Sequence, residues 1–124
     1  MLRSLFGYTN EAAPVRGDIA GVKQLDASGL HERLENGERV FLLDVRSAQE
    51  YAYDGHIAGS HLMPLPMLMS RAHELPEDMP IVCVCRSGNR SQTAAEQLLR
   101  LGYGDVSNLA GGMRGWRAHG LPYD

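Results

Sequence analysis

Cysteine is scarce in this sequence, since the 124 residues contain only Cys83 and Cys85. Cysteines separated by one residue are poorly placed to bond to each other, and no third cysteine can pair with either. A disulfide framework is therefore excluded. Two reduced thiols fit a reducing compartment best, so we predict a cytoplasmic location.

Long apolar runs are also lacking. None approaches the roughly 18 residues that a membrane-spanning helix requires, and residues 1–7 do not lead into an apolar core of signal-peptide length. We therefore expect no membrane association and no export.

Basic residues are not in excess, because 12 lysines and arginines face 15 aspartates and glutamates. They form no basic stripe, so no nucleic-acid partner is expected. The five histidines show no metal-ligand spacing with the cysteines, and we predict no metal and no other cofactor. The remaining composition, with 44% hydrophobic and 22% charged residues, is that of an ordinary globular protein.

The chain length suits one domain with a short leader. Residues 1–17 lack a convincing hydrophobic period and contain Pro14 and Gly17, so we interpret them as a loosely ordered leader. Residues 18–124 are predicted to form the folded domain, which is long enough to bury a sizeable core.

Strand and helix patterns alternate along this domain. Apolar runs too short for helices predict strands at 21–25, 40–43, 60–63, 81–85 and 105–109. Between them, helices are predicted after Asp26, after a capping box formed by Ser47 and Glu50, through Leu68, over 91–101 and around Trp116. Alternation with buried strands predicts an α/β fold, an open, mostly parallel sheet with helices on both faces.

The segment from Ile81 to Ser91 delivers a cysteine into a basic, glycine-containing loop that opens a helix. A helix N-terminus offers unpaired N–H groups and partial positive charge, which stabilise a thiolate. We therefore predict that Cys85 is a nucleophile. Cys83 lies inside the apolar run and is interpreted as an inert core residue. The anion-binding loop around Cys85 is predicted to consist of Arg86, Ser87, Gly88, Asn89 and Arg90.

Three charged residues follow the strand at 40–43 and are candidates for supporting this loop. Asp44 and Arg46 are predicted to flank the loop and hold its shape, the alternative being a solvated pair. Glu50 either pairs with Arg90 and fixes the loop, or only closes its own helix as the capping-box residue.

Four motifs occur in a fixed order and together resemble the rhodanese homology domain over roughly residues 19–122. They are Leu43-Asp44-Val45-Arg46 with Glu50-Tyr51, Gly55-His56-Ile57-Ala58-Gly59-Ser60, the segment from Cys85 to Ser91, and Leu109-Ala110-Gly111-Gly112-Met113-Arg114-Gly115-Trp116. The resemblance implies a five-stranded, mostly parallel α/β domain. Gly111 and Gly112 are interpreted as a tight turn, with a place near the rim of the active site as the alternative.

The resemblance also implies an activity. In this family, the cysteine matching Cys85 takes a sulfane sulfur from a donor such as thiosulfate, becomes a persulfide, and passes the sulfur to a thiol or to cyanide. A covalent intermediate of this kind predicts ping-pong kinetics. Related dual-specificity phosphatases carry five residues between the cysteine and the arginine, whereas four separate Cys85 from Arg90. The shorter loop favours sulfur transfer over phosphate chemistry.

Two other functions remain open from the sequence. The protein could be a sulfur-relay carrier that accepts sulfur from a partner protein, with thiosulfate only a surrogate donor. A non-catalytic binding module is disfavoured, because such a domain would not need an intact cysteine in an electropositive loop.

Overall fold

The computed structural model of this protein describes residues 17–124. The strands are β1 (Lys23–Leu25), β2 (Phe41–Asp44), β3 (His61–Leu62), β4 (Ile81–Val84) and β5 (Val106–Leu109). The α-helices are α1 (Ala27–Glu35), α2 (Ala48–Tyr53), α3 (Leu68–Arg71), α4 (Asn89–Arg100) and α5 (Gly112–Ala118). The predicted leader falls outside the described residues except for Gly17.

The five strands form one sheet in the order β1-β5-β4-β2-β3. Every neighbouring pair is parallel, and in the central pair Leu43 lies opposite Cys83 while Asp44 lies opposite Val84. The predicted α/β fold is confirmed, and the described strands are all parallel rather than mostly so. Because β4 is the central strand, its carboxyl end opens at the middle of the sheet edge, where parallel α/β folds bind ligands.

Helices cover both faces of the sheet and bury two apolar clusters. Residues of α3 and α4 pack on one face against Leu43, Cys83 and Cys85. Residues of α1 and α5 pack on the other face against Val82 and Val84. The two faces alternate along β4 because successive strand side chains point to opposite sides.

Local sequence signals set the helix ends. Asp26 caps α1 by accepting a 2.7 Å hydrogen bond from the Gly29 N–H group. The predicted capping box is confirmed, since Ser47 and Glu50 exchange both hydrogen bonds at the start of α2. At the end of α4, the N–H groups of Gly102 and Tyr103 bind the carbonyls of Leu99 and Leu98, a glycine-dependent stop.

Two elements differ from the prediction. Helix α4 begins at Asn89 rather than Ser91, because Gly88 adopts φ = +105° and occupies the N-cap position. The predicted helix through Leu68 is divided into a 3₁₀ turn, the short α3 and a second 3₁₀ turn ending at Glu74. Pro64 and Pro66 precede and interrupt the first turn and limit its backbone hydrogen bonds. None of the helices within residues 17–124 has the length and apolar character needed to cross a bilayer.

Candidate active site

The candidate nucleophile lies at the junction between the central strand and α4. Cys85 directly follows β4, and the residue is only 1% exposed. The chain then turns through Arg86, Ser87 and Gly88, and α4 begins at Asn89. The loop therefore wraps around the sulfur, with the N-terminus of a twelve-residue helix directed at it.

Three groups of the loop contact the Cys85 sulfur. The backbone N–H groups of Gly88 and Ser91 donate to Sγ over 3.1 and 3.3 Å. The Ser91 hydroxyl lies 3.2 Å from Sγ, and either atom can be the donor. The two N–H donors stabilise a sulfur anion without any rearrangement of the protein.

The two cysteines differ in acidity because of these contacts. Burial opposes ionisation of Cys85, but hydrogen bonds from the Ser91 hydroxyl and from the N–H groups of Ser91, Gly88 and Ser87 outweigh it. The pKa of Cys85 consequently lies below its ordinary value. Cys83 is fully buried without such donors, so burial and the neighbouring Cys85 raise its pKa far above the ordinary value. Cys83 is therefore a core residue whose thiol resists ionisation.

Arg90 and Glu50 join α4 to α2 through a bidentate ion pair. The two guanidinium nitrogens donate to Glu50 Oε1 and Oε2 over 2.7 and 2.8 Å. Glu50 Oε1 also accepts from the Ser47 N–H group at 3.1 Å. The carboxylate thus makes both contacts that the sequence presented as alternatives. The hydrogen bonds from Arg90, followed by those from Ser47, lower the pKa of Glu50 to about 2.

Asp44 and Arg46 form a pair that is buried, not solvated. Their side chains are 0% and 1% exposed, and the Arg46 guanidinium binds the Asp44 carboxylate in a fork over 2.8–3.2 Å. Arg46 also donates to the Gly55 carbonyl over 2.8 Å. Arg46 thus binds the segment after α2, and within residues 17–124 neither side chain of the pair makes a hydrogen bond to the cysteine loop. Asp44 approaches the site through the sheet, because it lies opposite Val84, the residue directly before Cys85.

Helix α5 supports the cysteine loop from the other face of the sheet. The N–H groups of Met113 and Arg114 donate to the carbonyls of Cys85 and Arg86 over 2.9 and 3.0 Å. Gly112 adopts φ = +56°, and a Cβ placed there would lie 2.5 Å from the Arg86 carbonyl. Gly112 therefore makes a backbone-to-backbone contact with the loop that no other residue can make.

The remaining loop residues face solvent. Arg86, Ser87 and Asn89 are exposed, as is Arg114 at the start of α5. Within residues 17–124, neither Arg86 nor Arg114 makes a salt bridge. Of the two loop arginines that the sequence assigned to anion binding, only Arg86 is therefore uncompensated, because Arg90 is paired with Glu50.

Comparison with known proteins gives the family of this chain. The family model described as "Rhodanese-like domain" matches residues 26–119, a span that includes every candidate site residue. The chain belongs to the rhodanese-like family.

The rhodanese-like assignment agrees with individual relatives. A sulfurtransferase of Allochromatium vinosum is 41% identical over 82% of this chain and 94% of its own. The thiosulfate sulfurtransferase GlpE of Pseudomonas paraeruginosa is 39% identical over 68% of this chain and 74% of its own. A putative sulfur carrier protein of Bacillus subtilis, YrkF, is 33% identical over 80% of this chain, which spans about half of that relative, or 53%.

Solved rhodanese-like structures have the same fold. The crystal structure of a rhodanese-related protein from Thermoplasma volcanium aligns with a TM-score of 0.75 at 31% identity, covering 82% of this chain and 96% of that one. The family relationship supports a sulfurtransferase-type enzyme for this chain.

The polar residues beneath the rhodanese-like loop were not predicted from the sequence. Ser91, Asn108 and Gln24 are 0%, 4% and 2% exposed and are joined by hydrogen bonds. Asn108 and Gln24 lie within strands that the sequence already predicted. A polar amide within a buried strand needs a hydrogen-bonding partner, so its presence was the signal that could have revealed them.

Proposed function

We propose that this protein is a sulfurtransferase that moves a sulfane sulfur from thiosulfate or a persulfide donor to a thiol or cyanide through a Cys85 persulfide. The observation that carries the proposal is the set of N–H donors from Gly88 and Ser91 around a buried sulfur of lowered pKa. The shared family with sulfurtransferases supports it.

The first half-reaction loads the sulfur onto the enzyme. The Cys85 thiolate attacks the outer sulfur of thiosulfate, a new S–S bond forms, and sulfite leaves with the electron pair of the bond that breaks. The negative charge then sits on the outer sulfur of the persulfide. N–H groups of the loop would bind this charge, as an oxyanion hole binds a charged oxygen.

The second half-reaction returns the free enzyme. A cyanide ion or an acceptor thiolate attacks the outer sulfur, the S–S bond of the persulfide breaks, and its electron pair returns to Cys85 Sγ. The Cys85 thiolate is the leaving group in this step, so the same lowered pKa that aids attack also aids departure. Because donor and acceptor use one site in turn, the kinetics are ping-pong.

Arg86 and Arg114 would supply the positive charge that attracts an anionic donor. Both are exposed and lack a salt bridge within residues 17–124. The N–H group of Arg114 binds the Arg86 carbonyl, which holds the two backbones side by side. Helical side chains extend toward the helix N-terminus, and for Arg114 that is the direction of the loop.

Glu50, Asp44 and Arg46 would act as loop support. Glu50 holds Arg90 in a fixed position on α4 through two hydrogen bonds, and the buried Asp44–Arg46 pair fixes the carboxyl end of β2 beside β4. None of the three needs to transfer a proton, because the thiolate is already ionised when it attacks.

A sulfur-relay carrier is the second candidate, and the likeness to a putative sulfur carrier protein favours it. A carrier would use the same Cys85 persulfide but would take its sulfur from a partner protein. The only two cysteines are too close along the chain to bond to each other, which fits either function and a reducing compartment such as the cytoplasm.

The test is to weigh the intact reduced protein after incubation with thiosulfate, alongside Cys85→Ser and Cys83→Ser variants. We expect a gain of one sulfur atom that requires Cys85, persists without Cys83, and disappears with the formation of thiocyanate when cyanide is added. A gain only from a protein-persulfide donor would favour the carrier. No gain from either donor would contradict sulfur transfer.

A further inference from the structure

The Ser91 hydroxyl lies between two acceptors. Its oxygen is 3.2 Å from Cys85 Sγ and 2.6 Å from Asn108 Oδ1. A serine hydroxyl carries a single proton, so it can donate to only one of these atoms at a time. Which one receives the proton decides whether Ser91 stabilises charge on the sulfur.

The orientation of the Asn108 amide settles this choice for the arrangement seen here. Asn108 Nδ2 donates to Gln24 Oε1 over 3.0 Å and to the Gly88 carbonyl over 3.2 Å. A backbone carbonyl can only accept, so the amide nitrogen must face it. Asn108 Oδ1 therefore faces Ser91 as an acceptor, Ser91 donates to it, and the contact with Sγ is donated by the thiol.

Two glutamines hold this orientation in place. Gln24 Nε2 donates to the Val22 carbonyl and to Gln92 Oε1 over 3.2 and 2.8 Å. Gln92 Nε2 donates to the Ile19 carbonyl and to Glu96 Oε2 over 3.1 and 2.7 Å. Each amide nitrogen thus faces a carbonyl that fixes its direction. Asn108 cannot turn over without breaking hydrogen bonds in this chain of amides.

We propose that the Ser91 hydroxyl is a two-position donor for the cysteine sulfur and that Asn108 is the positioning residue that holds it in its resting position. The hydroxyl donates to Asn108 while the sulfur is a thiol or the inner atom of a persulfide, and turns to Sγ when charge develops there. The persulfide part rests on the proposed function. As the outer sulfur leaves, the S–S electron pair moves to Sγ and the O–H group rotates toward it, with no proton transferred.

The proposal gives Ser91 and Asn108 opposite effects on the acidity of Cys85. Ser91 favours the thiolate by donating to it, while Asn108 competes with the thiolate for the same proton. Because Asn108 acts through Ser91, its effect must vanish when the hydroxyl is absent. A merely structural role would shift the pKa equally in both backgrounds.

The experiment measures the pKa of Cys85 from the pH dependence of its alkylation by iodoacetamide, followed by peptide mass spectrometry. We expect Ser91→Ala to raise the pKa of Cys85 by about one unit, because the loss of one hydrogen bond to a charged group shifts a pKa by about that amount. We expect Asn108→Leu to lower the pKa by about half a unit or more, because the hydroxyl then donates to the thiolate without leaving another acceptor. The double variant should have the same pKa as Ser91→Ala alone.

An unchanged or raised pKa in Asn108→Leu would overturn the proposal, as would a double variant that differs from Ser91→Ala. The other charged and titratable groups around the site stay the same in every variant, namely Cys83 on β4, Asp44 at the end of β2, Arg46 after it, Glu50 on α2, Arg86 and Arg90 of the loop and α4, and Arg114 on α5.

Cys83 provides the control for folding, because this buried thiol reacts only if the protein opens. If it is labelled in Asn108→Leu, then Asn108→Val replaces that variant. The wild-type protein gives an independent measurement by neutron diffraction below and above the pKa of Cys85. The hydroxyl deuteron should point to Asn108 at the lower pH and to Sγ at the higher one, and a deuteron on Asn108 at both would refute the switch.

The pKa assay contains no sulfur donor, so its outcome is separable from that of sulfur transfer. Loss of the pKa pattern with intact persulfide formation would refute the two-position donor alone. An intact pattern with no persulfide from any donor would refute the proposed function alone.

Discussion

Replacing Gly112 with alanine should displace the cysteine loop, because the added methyl group would press on the loop backbone from the side of α5. The added Cβ would lie 2.5 Å from the carbonyl carbon and oxygen of Arg86 and 2.6 Å from the carbonyl oxygen of Cys85. These are backbone atoms, which cannot rotate away as a side chain can. The loop or the start of α5 must therefore move by at least about half an ångström to reach the shortest tolerable contact.

The size of the effect follows from three contributions. Alanine at the positive φ of Gly112 costs about 1–2 kcal/mol, partly offset by the reduced freedom of the unfolded chain. Overpacking against a fixed backbone adds about 1–3 kcal/mol. Separation of α5 from the loop weakens two hydrogen bonds, from Met113 and Arg114, each worth about 1 kcal/mol. We expect a total destabilisation of about 3–5 kcal/mol.

Gly111→Ala is the matched control. Gly111 also has a positive φ, of +83°, but a Cβ placed there would meet nothing closer than the Gly115 Cα atom at 3.8 Å. The control therefore has the backbone penalty without the collision, and we expect it to lose only about 1 kcal/mol. The two substitutions thus separate a general cost of alanine in this turn from contact with the cysteine loop.

Urea denaturation followed by tryptophan fluorescence measures both variants, because Trp116 is the only tryptophan and is 1% exposed on α5. In Gly112→Ala we also expect the pKa of Cys85 to rise, since displacing the Arg86 carbonyl turns the N–H group of the same peptide, that of Ser87, away from Sγ. Equal stability of the two variants within about 0.5 kcal/mol, or an unchanged pKa of Cys85 in Gly112→Ala, would refute this reasoning.

Three further predictions concern charged residues. Glu50→Gln should remove about 1 kcal/mol of stability, allowing for solvent screening of the partly exposed pair with Arg90. The pKa of Glu50 is depressed to about 2 from 4.5, so this contribution is present above pH about 4.5 and lost as the pH falls through about 2. In urea titrations the difference from wild type should shrink steadily as the pH is lowered from 4.5 toward 2, and a difference that stays constant would contradict the pairing. Arg114→Gln should raise the KM for thiosulfate several-fold at low ionic strength and less in about 0.5 M salt, where the screening length falls to a few ångströms. An effect on KM that does not depend on salt would contradict electrostatic attraction of the donor by Arg114. Arg46→Met should destabilise the fold by about 3–5 kcal/mol, because Asp44 is left buried and unpaired, and adding Asp44→Asn should restore much of it; no recovery in urea melts would contradict this.

Much of the fold follows from local patterns, as the second strand shows. The apolar run at 40–43 predicted a buried strand, and β2 covers Phe41–Asp44. The one-residue shift arises because Asp44 can remain in the sheet: Arg46, two residues later, neutralises its carboxylate within the same buried region. A hydrophobic pattern ends at the first charge, whereas a strand ends where its backbone hydrogen bonds end.

The two possibilities for Glu50 could not be separated from the sequence. The capping box is local, since Ser47 and Glu50 are three residues apart, and spacing alone reveals it. The pair with Arg90 depends on how α2 approaches α4 across 40 residues of chain. Spacing carries no information on that approach. The carboxylate has two oxygens and makes both contacts, so the alternatives were never exclusive.

The segment from Cys85 to Ser91 supplies the groups that touch the sulfur, but it does not by itself fix their positions. The carbonyls of Cys85 and Arg86 are held by N–H groups of α5, and the Gly88 carbonyl is held by Asn108 on the neighbouring strand. Asn108 comes 20 residues after Gly88, and Met113 and Arg114 come 28 residues after Cys85 and Arg86. A chain could therefore keep the loop motif unchanged and lose its chemistry through a substitution of Gly112. The loop motif is evidence of function only together with the residues that orient its peptide groups, which is why Gly112→Ala tests the site without altering any atom of the motif.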